Sequence, residues 1–229
     1  MSEEQKKEDP PHRIKVRIES LSDLVFGLAL SIGSLEFLSS PARDPVGLGK
    51  NLVYFGFSFF ILVFTWLGYS RTMAVLPRET ESSLYLNLVL LFLTAIEPYL
   101  FYVLVTSPTD NDANIASTAY ALNVSGLFLV QAALGRLVVT QDKQNKLRNE
   151  RTLDSVIIAR FKGVVLAEII VAAFFLVSTL PVFWGIQTPL GEARFIFWWS
   201  AFVVFFLRRR PKSKVQETET EPNLTDSAE

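Results

Sequence analysis

The chain has 229 residues, half of them hydrophobic, with nineteen Phe, no Cys and a formal net charge of −1. Without cysteine there is no disulfide, thiol nucleophile or Cys-ligated metal, and a near-neutral chain lacks the basic excess that would suit a nucleic-acid partner. His12 is the only histidine, so neither a His metal cluster nor a catalytic dyad can be assembled. No His-Glu-x-x-His pair, phosphate-cradling Gly loop or nucleophile–base pair occurs, which leaves an enzyme reading without support.

The opening MSEEQKKEDPPHRIKVRIES is charged and contains proline. No short apolar core with a small-residue cleavage site follows, so no cleaved signal peptide is expected. Beyond it the apolar residues form uninterrupted blocks of about 20, the length that crosses a bilayer core. The first block lies within RIESLSDLVFGLALSIGSLEF, from Arg17 to Phe37, and covers about 20–38. It carries Asp23 near one end and Glu36 near the other, with Gly27, Ala29, Gly33 and Ser34 between them. On a helical wheel two stripes emerge, roughly a third of a turn apart. One holds Asp23, Gly27, Leu30 and Ser34. The other holds Arg17, Leu21, Leu24, Leu28, Ser31 and Leu35 at alternating spacings of four and three, the pattern of a seam shared by helices around one axis. Small residues let backbones approach, so the helix is expected to be packed by protein on several sides. Asp23 has two readings: a hydrogen-bond acceptor that pins the helix, which its position off the leucine stripe favours, or an ion ligand or proton carrier. Glu36 either makes a negative mouth that concentrates cations or caps a helix end.

Five further spans follow at about 51–70, 84–106, 115–139, 159–180 and 191–207, the last the shortest. Pro41, Pro77, Pro108 and Pro181 fall in the gaps, where a missing N–H costs least. Glu97 precedes Pro98 in the third span, and Glu168 lies midway along the fifth. Each is either a structural acid or a coupling site of a secondary transporter. Asn87 and Asn123 suit interhelical hydrogen bonding. Trp184, Trp198 and Trp199 lie near span ends, as interfacial anchors do. These spans predict an all-α polytopic membrane protein with six transmembrane helices: a basic arm at 1–17, a transmembrane domain at 18–207 and a disordered tail at 208–229. The first arm, the 71–83 loop, the 140–158 loop and the start of the tail hold most of the Lys and Arg, whereas the alternate loops hold only Arg43, Lys50 and Arg194. The positive-inside rule therefore puts both termini in the cytoplasm.

The run Arg17-x-x-x-Leu21-Ser22-Asp23, then Val25-Phe26-Gly27-x-Ala29 and Leu35-Glu36, resembles the first span of the transmembrane protein 175 family of potassium channels. Trp66 fits a Trp of that family's second span, and Asn87 with Pro98 fits its third. Two departures stand out: Leu21 replaces a Phe, and no His follows Trp66. The resemblance covers one six-span repeat, residues 13–207. It implies a homotetramer in the plasma membrane with a pore lined by the first helix. The constriction would fall at Leu28, with Ser31 and Leu35 on successive turns outward, and Arg17, Ser22 and Asp23 would belong to the motif network. It further implies K⁺ as the permeant ion, other monovalent cations passing less well, and no cofactor.

The physics of that arrangement is coherent. A ring of leucines is a hydrophobic constriction that can gate by dewetting. Hydroxyls at Ser31 would give oxygens to a partly dehydrated cation, with modest selectivity. A ring of Arg17 would oppose cation entry, so Arg17 is expected to turn aside onto a carboxylate or helix-end carbonyls. The alternatives are a transporter using Glu97 and Glu168, and a non-conducting scaffold.

Overall fold

A computed structural model of the chain describes residues 10–39, 45–78, 80–150, 152–188 and 191–208. The helices are α1 (Pro10–Ser39), α2 (Pro45–Val75), α3 (Glu81–Thr106), α4 (Asp110–Leu147), α5 (Ser155–Ser178) and α6 (Ala193–Arg208). A 3₁₀ turn at Pro181–Phe183 and a two-residue hairpin, β1 (Gln187–Thr188) against β2 (Gly191–Glu192), lead into α6. Five of the helices are long and apolar enough to cross a membrane. The apolar stretch of α6, Ala193–Val204, is shorter. Helix α1 reaches back through residues 10–17, the stretch read as an arm. The tail from 209, Arg43 and residues 1–9 lie outside the described residues.

Short polar side chains set the helix starts. Thr80 and Ser83 exchange hydrogen bonds in a capping box at the start of α3, Thr109 Oγ1 accepts from the Asp112 N–H, and Asp154 accepts from the Val156 N–H. Each satisfies an N–H that has no partner within its helix. Helix α3 runs unbroken through Pro98.

Helix α4 is the hub and packs on α2, α3 and α5, while α6 lies on α5, and α1 sits at the edge against α2 and α3. Contacts between α2 and α4 keep one register, an offset of 63 residues, from Phe57–Tyr120 through Gly68–Gln131 to Arg78–Gln141. The two helices therefore run parallel. Two glycines set the closest approaches. A Cβ on Gly68 would stand 2.7 Å from Gln131 Oε1, and one on Gly135 would stand 2.8 Å from Val165 Cγ2. Gln131 Nε2 crosses to the Thr65 carbonyl, and Asn123 Nδ2 donates to the Leu93 carbonyl at 3.1 Å.

An aromatic core gathers Phe57, Tyr120, Phe175, Trp198 and Phe202. Trp198 is thus not an interfacial anchor: it is 4% exposed, stacks on Phe57 and Phe175, and donates its Nε1–H to Ser178 Oγ at 2.8 Å. Its heptad neighbours Ala201 and Phe202 turn the same face of α6 inward, so apolar burial outweighs the pull of the interface on the indole. Trp199 points outward.

Candidate functional site

The inward face of α1 is narrow. Ser22, Phe26 and Ala29, spaced four and three apart, are buried against the bundle. Phe26 meets Tyr69 of α2 with ring centroids 6.0 Å apart. Both stripes read from the sequence lie to either side of this face, each about a third of a turn away. A Cβ on Gly27 or Gly33 would meet nothing within 4 Å. Within the chain, then, α1 is packed on one side, not several. Its glycines at 27 and 33 are not spent on contacts with its own bundle.

Ser22 and Asp23 tie α1 down by a polar knot. Ser22 Oγ is buried, donates to the Ile18 carbonyl at 2.8 Å, lies 2.7 Å from Tyr69 OH and reaches Asn87 Oδ1 at 3.5 Å. Asp23 is exposed and accepts from Trp66 Nε1 at 2.9 Å. Helices α1, α2 and α3 thus meet in one network, and Asp23 acts in it as an acceptor. Tyr69 is the member that sequence reasoning passed over. The signal was there: it follows Trp66 by three residues, on the face that also buries Thr65 and Thr72.

The leucine stripe is bare. Leu28 is 57% exposed, Leu35 64% and Leu24 68%. Ser31 lies on the same exposed row, and its hydroxyl donates to the Gly27 carbonyl at 2.8 Å. With the proton directed back along the helix, the oxygen lone pairs remain for an outside partner. Arg17 is exposed on this row and has no ion pair among the described residues. Glu36 falls within α1, but its side chain lies outside the described residues.

Glu97 sits elsewhere, sealed at 0% exposure between α2, α3 and α4. It accepts from Ser58 Oγ at 2.9 Å and from Tyr120 OH at 2.9 Å. Glu168 is buried on α5. Neither acid reaches the α1 row. Among the described residues no group of His, Cys, Asp or Glu could hold a metal ion.

The fold and this site define a multi-pass helical membrane protein whose edge helix carries a polar knot inward and an uncovered leucine–serine row outward. The family model described as endosomal/lysosomal potassium channel TMEM175 matches residues 17–98, which hold α1 from Arg17, α2 and most of α3. The fold is shared with a lysosomal potassium-selective channel TMEM175 homolog from Chamaesiphon minutus, at 19% identity and a TM-score of 0.57, over 86% of this chain and 100% of that one. It is also shared with a variant of the potassium channel MtTMEM175 crystallised with a nanobody–MBP fusion, at 19% identity and a TM-score of 0.54, over 84% and 88%. No curated protein matches the chain. The family match covers less than half of the chain, and the two likenesses show a shared fold.

Proposed function

We propose that this protein is a potassium-permeable cation channel whose ion path runs along the exposed row of α1. The observation that carries this reading is the row itself: Leu24, Leu28, Ser31 and Leu35 are uncovered on a helix whose polar knot faces its own subunit. Copies of α1 brought around one axis would cover the row. Leu28 would then form a hydrophobic constriction that halts ions by denying them water, with Ser31 oxygens one turn above it. The family match spans the helix and the two helices that hold it, and the proteins of similar fold are named as potassium channels. An enzyme is not supported, because those neighbours are ion channels.

Four copies, both termini in the cytoplasm and residence in the plasma membrane complete the reading. The structure gathers Arg78, Gln141 and Glu150 at one end of the bundle, and the positive-inside rule makes that end cytoplasmic. Glu97 is assigned a structural role, since two hydroxyls within the bundle engage it away from the row.

The test is planar-bilayer recording of the purified protein under opposed K⁺ and Na⁺ gradients. Unitary currents reversing toward the K⁺ potential are expected. Slow, saturable flux coupled to protons would instead point to a transporter, and silence in both assays to a scaffold.

A further inference from the structure

The faces that α4 and α5 turn away from the bundle change character at one height. On α4 the exposed Ile115, Leu122 and Leu129 recur every seven positions, and the next members of that row are Arg136 and Lys143, both exposed. On α5 the exposed Ile170 and Leu166 lead at the same four-residue step to Lys162, also exposed. The two helices run antiparallel in a register fixed by Ser125 Oγ on the Ala172 carbonyl and by Gly135 against Val165. Arg136 and Lys162 therefore stand within about one turn of each other in height.

Neither Arg136 nor Lys162 has an ion pair among the described residues. The nearby carboxylates are engaged elsewhere. Glu150 pairs with Arg78 at 2.8 Å, Asp142 takes the Leu153 N–H at 2.7 Å and lies 3.7 Å from Lys146, and Asp154 caps α5. Glu81 lies on α3, in its first turn. Loop charges such as Arg78 and Arg148 suffice to set topology. Arg136 and Lys162 instead stand on helix faces, at the depth where an aliphatic surface ends.

We infer that Arg136 and Lys162 form a binding site for the headgroup of an anionic phospholipid in the leaflet at this end of the bundle. Acyl chains would lie along Leu129 and Leu166, and the phosphate would meet the cations directly above. Guanidinium groups bind phosphate oxygens in pairs, and a lipid with net negative charge supplies what a zwitterion offsets with its own amine.

Native mass spectrometry of the full-length protein, released from nanodiscs of equal phosphatidylglycerol and phosphatidylcholine, tests this. The parent should retain phosphatidylglycerol in preference, and Arg136→Gln with Lys162→Gln should lower that preference roughly five-fold per cation removed, the order expected for a basic side chain near an anionic surface. The charge-conserving Arg136→Lys should keep most of it. Equal retention of both lipids by the parent overturns the inference, whether or not the double variant folds. So does an unchanged preference in the double variant, or full displacement of the lipid by millimolar glycerol phosphate, which would mark a site for free phosphate.

Discussion

At the scale of single residues, the chemistry of α1 divides between an inward knot and an outward row. Tyr69 is the test of the knot. Its hydroxyl bridges Ser22 near Asn87, so Tyr69→Phe should destabilise the folded protein by about 0.5–1.5 kcal/mol, the usual net worth of such a bond. Thermal unfolding in detergent reads it, and no shift would mean that Ser22 is satisfied by the Ile18 carbonyl alone. Trp66→Phe removes the Nε1–H that Asp23 accepts. It should lower the yield of assembled protein, as should Asp23→Ala, and leave ion preference the same. If Asp23→Ala assembles normally and loses K⁺ preference, Asp23 belongs to the path.

Glu97 separates the channel from the transporter. Glu97→Gln keeps a carbonyl oxygen for Ser58 and Tyr120 and should fold and conduct. Glu97→Leu leaves two buried hydroxyls without their acceptor and should fold poorly. Proton-coupled flux abolished by the glutamine variant would restore the transporter reading.

At the scale of elements, the close approaches of the hub helix make the sharpest prediction. Gly135→Leu would drive a branched side chain into Val165 and separate α4 from α5, costing about 1–3 kcal/mol as overpacking does. The same change at Gly27, where nothing lies within 4 Å, should leave the isolated subunit's stability unchanged.

Hydropathy made the helices legible because a bilayer fixes their length. It read the first span at 20–38 and the fifth at 159–180 to within a few residues of the stretches long and apolar enough to cross a membrane, Arg17–Leu35 and Ser155–Ser178. It could not see α4 running on to Leu147, because that extension is held by polar contacts: Gln141 grips both the N–H and the carbonyl of Arg78. The β1–β2 hairpin was invisible for a simpler reason, since two-residue strands carry no periodicity. The inward face of α1 was also missed. A wheel shows that Ser22, Phe26 and Ala29 share a side, but only the partners Tyr69 and Asn87 decide which of several polar or small stripes is covered. The placement of Trp198 depended likewise on Phe57 and Phe175, far away in sequence.

At the scale of the whole molecule, the proposed tetramer is what would cover the aliphatic row that the edge helix leaves exposed. Mass measurement in native nanodiscs should return four subunits, and a clean monomer would count heavily against a central path. The central claim, that ions pass along the α1 row and meet their barrier at Leu28, is tested most directly by single-channel recording of Leu28→Asn beside the parent and Leu30→Asn. The barrier is the dehydration of an ion by an apolar ring, so a polar side chain at Leu28 should raise basal conductance and weaken discrimination between K⁺ and Na⁺. Leu30 lies on the Asp23 stripe, and its substitution should leave discrimination largely intact. Altered permeation from Leu30→Asn with none from Leu28→Asn would put the path on the other side of the helix and contradict the account.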